Sequence, residues 1–190
     1  MSAPGHEPTD LVNLIKSRRT IHRYLAKTVA PEIVELALEA AHQAPNHKST
    51  WPWRFNVIGP ETKASLDRAA LKMKEANGPL EGAPLEAFNQ KRINPQLIVV
   101  SQRRSTDPLE AKEDYAAVAC AIQNMCLTFS AFGVGSKWST GSLTRSPRAY
   151  QFIGIDDRVE EIIGFIWYGY PAEVPSPERP ELKIVRRDLP

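Results

Sequence analysis

The sequence predicts one domain of the mixed helix-and-strand classes, α+β or α/β, and three observations carry that prediction. Helical runs and short apolar strand-like runs interleave along the 190 residues instead of segregating. The connections between them vary in length, so periodicity alone does not choose between the two classes. Composition supplies the third: 42% hydrophobic and 24% charged residues are ordinary values for a chain able to bury a core.

Taken in order, residues 1–8 read as a disordered lead-in to a single domain over 9–190. Leu11, Leu14 and Ile15 have helical spacing behind Thr9 or Asp10, which predicts a short helix to about Arg18. Pro31 suits the first turn of a second helix with a buried stripe of Ile33, Leu36, Ala37, Ala40 and Ala41; Pro45 stops it. Ala30 is a poor cap for that helix. "WRFNVIG" (53–59) alternates Phe55 and Val57 with polar neighbours and turns at Gly59-Pro60, as a strand does. "ETKASLDRAALKMKEA" reads as a helix, whereas residues 77–95 mix Gly, Pro and polar side chains and impose no regular structure.

"QLIVVSQ" (96–102) is a buried strand. The strongest helical signal is 113–132, where Tyr115, Val118, Ala119, Ile122, Met125, Cys126, Phe129 and Phe132 recur at steps of three and four. Gly133 and Gly135 end it, "SKWSTGSLT" follows as a loop, and Ser146-Pro147 opens a short helix. "EEIIGFIWYGYP" (160–171) is a final strand, and the proline-rich tail 171–190 is extended along another surface.

The net charge of +2 gives no polyelectrolyte signature, which argues against a nonspecific nucleic-acid partner. No run approaches the roughly 18–20 apolar residues of a spanning helix. "MSAPGHEPTD" has no apolar core of an export signal, so the expectation is a cytoplasmic protein without a membrane partner. Cys120 and Cys126 fall about 240° apart on a shared helix. They read as two buried structural thiols in a reducing compartment.

"KSRRTIHRY" (16–24) concentrates Arg18, Arg19, Thr20, His22 and Arg23. Guanidinium forks and a hydroxyl suit phosphate oxygens, although cations behind a helix also offset its dipole. His47 in "PNHKS" has no neighbouring ligands for a metal. No G-x-S-x-G or P-loop is present, and the glycines of "GVGSKWSTG" follow a helix rather than a strand, against a dinucleotide fingerprint.

Four segments in order carry more: "RRT" with Tyr24, "APNHKSTWPWRFNVIG", "AAVACAIQNMCLTFSAFGVGSKW" with "WSTGSLTRSP", and "IIGFIWYGYP". Over roughly residues 10–180 this pattern resembles the nitroreductase family of FMN-dependent oxidoreductases, and especially its small bacterial NAD(P)H nitroreductase subgroup. The resemblance implies an α+β, three-layer α-β-α sandwich with a mostly antiparallel central sheet. It also implies an intertwined homodimer, with the C-terminal tail extending onto the partner and FMN at the subunit interface. Arg18, Arg19 and Thr20 match the segment that holds the FMN phosphate and ribityl chain. His22 stands where many members carry Arg or Lys, with Arg23 as its substitute. Gln43, Pro45, Asn46, His47 and Ser49 match the loop that reaches the partner's flavin. Trp138, Ser139, Thr140 and Gly141 match the loop over the isoalloxazine, and Arg179 matches a phosphate-binding arginine of the tail.

Trp51 departs from the common Gln before Pro-Trp, and the short 77–95 segment implies a reduced lid over an open pocket. On this reading NAD(P)H is the electron donor, a nitroaromatic or quinone the acceptor, and no protein side chain is catalytic, because the flavin carries the chemistry. Reductive dehalogenation or dehydrogenation on the same scaffold, and a flavin carrier or sensor without turnover, are the alternatives.

Overall fold

The computed structural model describes residues 8–190. Its centre is made by the two most continuously apolar segments of the chain. β2 (Gln96–Arg103) and β4 (Glu160–Gly169) lie side by side, antiparallel, with Leu97 opposite Trp167 and Ile98 opposite Ile166. Both strands are covered on both faces, so neither needs the polar alternation of a half-exposed strand. β1 (Trp53–Ile58) adds to the outer edge of β2, and β3 (Gly135–Ser139) to the outer edge of β4. The order is β1-β2-β4-β3 and every pair is antiparallel, which selects α+β over α/β.

Because successive strand residues face opposite sides, the sheet divides the core in two. On one face α2 (Pro31–His42) and α5 (Pro108–Ala131) bring Ala37, Ala41, Val118, Ile122 and Met125 against Ile98, Val100 and Ile166. On the other, α3 (Pro60–Lys74) and α6 (Pro147–Ile153) set Leu66, Ala69, Ala70 and Ala149 against Leu97, Val99, Phe165 and Trp167. The result is the expected three-layer sandwich. α5 starts at Asp107, whose carboxylate accepts from the amides of Leu109 (2.8 Å) and Glu110 (3.4 Å), with Pro108 in the first turn. α1 (Pro8–Ser17) touches α5 and leaves Leu11, Val12 and Ile15 exposed.

Several sequence expectations are corrected. α1 begins at Pro8, the last residue of the segment read as a lead-in; the rest of that reading, residues 1–7, lies outside the described residues. The segment read as a loop from 136 forms β3, a short edge strand with one large apolar side chain, Trp138. Within 77–95 a helix, α4 (Gly82–Gln90), forms and rests Phe88 on the core edge. In α2 the buried stripe is Val34, Ala37 and Ala41, while Leu36 faces out. In α5 the ends of the stripe, Tyr115 and Phe132, are exposed, as is Val57 of edge strand β1. Cys126 is buried but Cys120 is exposed, because their six-residue spacing turns them to different sides.

Candidate functional site

The basic segment after α1 is fixed by its neighbours. Thr20 bridges in parallel to Ser136, and the Ile21 amide donates to the Ser136 carbonyl at 3.1 Å, so this segment covers the free edge of β3. Gly135 leaves the space that Ile21 fills; a Cβ there would overlap the Ile21 side chain. Tyr24, buried, donates to the Ile21 carbonyl at 2.9 Å. With Ile21 and Tyr24 pinned inward, Thr20, His22 and Arg23 face out.

The tail runs back over the same segment. Leu25 donates to Tyr170 (2.8 Å), Ala172 donates to Arg23 (3.0 Å), and Tyr24 bridges Pro171. Beyond these anchors the tail closes a groove of about 480 Å³ lined by Arg18, Arg19, Thr20, His22 and Arg179. Residues distant in sequence thus meet in one basic concavity. Their roles differ in detail. Arg19 donates to the Lys16 and Arg18 carbonyls (2.5 and 3.1 Å), capping α1 as well as lining the groove. Arg23 is paired with Glu173 at 3.6 Å, both side chains exposed, and does not line the groove. Partial burial, then the Lys137 and Lys91 charges, hold the His22 imidazole below its ordinary value, against the pull of Glu173. His22 is therefore neutral at pH 7, and the arginines carry the groove's charge.

A second cavity of about 400 Å³ adjoins through Arg18 and Thr20 and is walled by Gln123, Cys126, Trp138 and Thr140. Trp138 sits against Gly164 of β4, where a Cβ would collide with the indole, and its Nε1 reaches the Ile163 carbonyl at 3.4 Å. The Ser136 hydroxyl is buried beside the Cys126 thiol and lines a separate hollow with Ile21 and Gly135. Burial pushes the Cys126 thiol up, so it stays protonated as a wall group.

Gln43, Pro45, Asn46, His47 and Ser49 line none of the cavities described here. Their loop is strained: Lys48, Ser49 and Trp51 all have positive φ (60°, 53° and 40°). Asn46 holds it, accepting from the Trp51 amide at 2.6 Å and donating to Thr50 at 3.0 Å. Thr50 in turn donates to buried Asp114 at 2.5 Å. His47 and Trp51 are left exposed at the loop's tip, while Trp53 is buried and donates to His42 at 3.0 Å.

Ser139 and Gly141 line a different hollow from Trp138 and Thr140. That hollow, of about 380 Å³, lies on the α3 face and is also lined by Lys74, Phe88, Arg92 and Trp167. The sequence reading missed these residues. Their signal is faint, since the cations come from three separate segments and two of those read as helix surface or irregular chain.

Residues 15–170 match the profile of the Nitroreductase family. The chain is 31% identical over 175 residues to "Putative NAD(P)H nitroreductase YfhC" of Bacillus subtilis, covering 90% of this chain and 89% of that one. It is 29% identical over 166 residues to "Putative NAD(P)H nitroreductase YdjA" of Escherichia coli, covering 85% and 88%. Among solved structures, the nitroreductase-like family protein from Bacillus cereus superimposes with a TM-score of 0.80 at 26% identity, covering 100% of this chain and 98% of that chain. A Desulfovibrio desulfuricans protein solved in complex with FMN gives 0.73 at 24% identity, covering 98% and 99%. With its fold, its ordered motifs and its full-length relatives in agreement, this chain belongs to the nitroreductase family.

Proposed function

We propose that this protein is an FMN-dependent oxidoreductase of the cytoplasm that takes a hydride from NAD(P)H and passes it, in ping-pong order, to a nitroaromatic, quinone or similar acceptor. The observation that carries the reading is the convergence of Arg18, Arg19, Thr20 and Arg179 on one groove that opens beside the Trp138–Thr140 cavity. The donor set fits the cofactor: fixed guanidinium charges and a hydroxyl for a phosphate, then the Trp138 wall with the polar side chains of Gln123 and Thr140 for a flat polar ring. Bound FMN supplies the redox chemistry, accepting and returning a hydride.

The chain's own part is to bind and orient. Arg18 and Arg179 neutralise the phosphate, and Thr20 donates to it. Trp138, wedged on Gly164, is a rigid wall rather than a mobile lid. The loop at 45–49 lies at the surface, outside the cavities described above, and in the proposed homodimer it completes the partner's site. Leu11, Val12 and Ile15 of α1 and Leu182, Ile184 and Val185 of the tail are the exposed apolar surface that a second copy covers.

Purified protein is expected to bind FMN with a change in flavin absorbance and to be bleached by anaerobic NAD(P)H. Arg18→Ala is expected to weaken FMN at least about tenfold, matching loss of a charged hydrogen bond of about 1.5–3 kcal/mol. Riboflavin, which has no phosphate, should change less than about twofold. No FMN binding at micromolar concentration overturns the proposal. Tight FMN that NAD(P)H does not reduce moves the reading to a flavin carrier.

A further inference from the structure

We propose that His22 tunes the basic groove to phosphate dianions: it takes up a proton when such a ligand enters, so that a phosphate monoester is held more tightly in mildly acidic solution than in alkaline. The proposal rests on the oxidoreductase reading for the identity of the ligand, FMN, but not for the chemistry of the groove. His22 lines that groove with Arg18, Arg19, Thr20 and Arg179. Of its lining residues it alone has a side chain able to change charge near neutral pH.

The backbone places the imidazole from both sides. Ile21 before it is tied to Ser136, and Tyr24 after it is buried and bridges Pro171, so His22 stands outward between two fixed points. Each neighbouring element sends it a charge. Arg18 and Arg19 stand at the end of α1, Lys137 lies on β3, Lys91 follows α4, and Glu173 and Arg179 come from the tail. Glu173 is the single acid of this set and is shared with Arg23 at 3.6 Å. Cations therefore prevail around His22. Partial burial first, then Lys137 and Lys91, keep the imidazole below its ordinary value of about 6.5, against the pull of Glu173.

A phosphate monoester reverses that balance. It carries about −1.5 to −2 charges at neutral pH, with its second ionisation near about 6. Held among Arg18, Arg19 and Arg179, its dianion offsets the two lysines at His22 and favours the imidazolium, which then donates to a phosphate oxygen. One proton passes from solvent to His22, and no bond of the ligand is made or broken. The sign follows from linkage. His22 has the higher pKa in the complex, so the added affinity is fully present below the free protein's value and is lost as pH rises through that of the complex. Protonation of the ligand acts the other way, weakening binding towards about pH 6 and below. Arginines alone would give no such gain, since guanidiniums stay charged throughout.

The test is titration calorimetry with FMN, riboflavin and phenyl phosphate between about pH 8 and about pH 6.5, in two buffers of unlike ionisation enthalpy. From the upper to the lower pH, FMN affinity should rise about fivefold or more, with net proton uptake. His22→Asn should change less than about twofold over the same range and take up no proton. His22 is exposed, and the variant's melting temperature shows that it is folded. Riboflavin, which lacks the phosphate, should show no pH trend. A variant as pH-dependent as the parent overturns the proposal and gives the trend to another group, such as His47. The same trend with riboflavin overturns it by setting His22 against the ring. FMN that binds and is reduced, but with an affinity indifferent to pH, overturns this inference and leaves the oxidoreductase reading intact. Phenyl phosphate bound with the His22-dependent trend, but no FMN bound, supports the inference while sinking that reading; binding of neither overturns both.

Discussion

At the scale of single residues, the strained loop at 46–51 hangs on one hydroxyl. Thr50 has a single proton to donate, and the 2.5 Å contact directs it to Asp114, leaving its lone pairs for Asn46. Asp114 is buried, and its other oxygen has no partner among the described residues. Thr50→Val therefore strands a buried carboxylate and releases Asn46 from one anchor. The expected cost is about 1–3 kcal/mol in urea unfolding, with faster hydrogen exchange at the Trp51 amide. Asp114→Asn keeps an acceptor and should cost less; a larger loss for Asn than for Val would contradict this account. The two tryptophans at this end of the loop have different surroundings. Trp53 is core packing, joined to His42, while Trp51 is surface, held outward by a positive φ.

At the scale of elements, β3 is where the site is registered to the core. Its inner edge pairs with β4, its outer edge carries the Arg18–Thr20 segment, and Trp138 locks onto Gly164. Gly164→Ala should force the indole aside at a cost of about 1–3 kcal/mol, seen as a lower melting temperature. Combining it with Trp138→Leu should recover part of that loss, and additive effects would mean that the two residues do not touch. The central strands β2 and β4, and helices α2 and α5, were legible because burial on one or two faces writes an apolar pattern into the chain. β3 was not, since an edge strand with one apolar side chain looks like a loop. α4 was hidden by its glycine and proline and by a stripe reduced to Phe88. For the site, the arginines and threonine of "RRT" advertised anion binding by residue type. The hollow of Lys74 and Arg92 did not, because only the folded sheet brings those segments together.

At the scale of the whole molecule, alkaline stability should reflect two buried phenols. Burial pushes Tyr168 up to about 12, and Tyr24 is raised further by the same cause. Unfolded tyrosine titrates near 10, so between about pH 10 and 12 the folded state holds protons that the unfolded state has lost. Stability is then full below about pH 10 and falls as pH rises through that window. The check is denaturation at stepped pH, with tyrosinate absorbance appearing together with unfolding; ionisation of both phenols in the intact fold would be the contrary result. The tail has a different standing. Its last backbone anchor to the body is Ala172, and among the described residues none beyond Tyr170 belongs to either core cluster or packs against one. Arg179 thus rides on a segment whose sequence the folding of the domain does not constrain. How firmly a ligand is retained in the groove can drift, be lost or be re-engineered at Arg179 and its immediate neighbours, while the two core clusters of the body keep their packing.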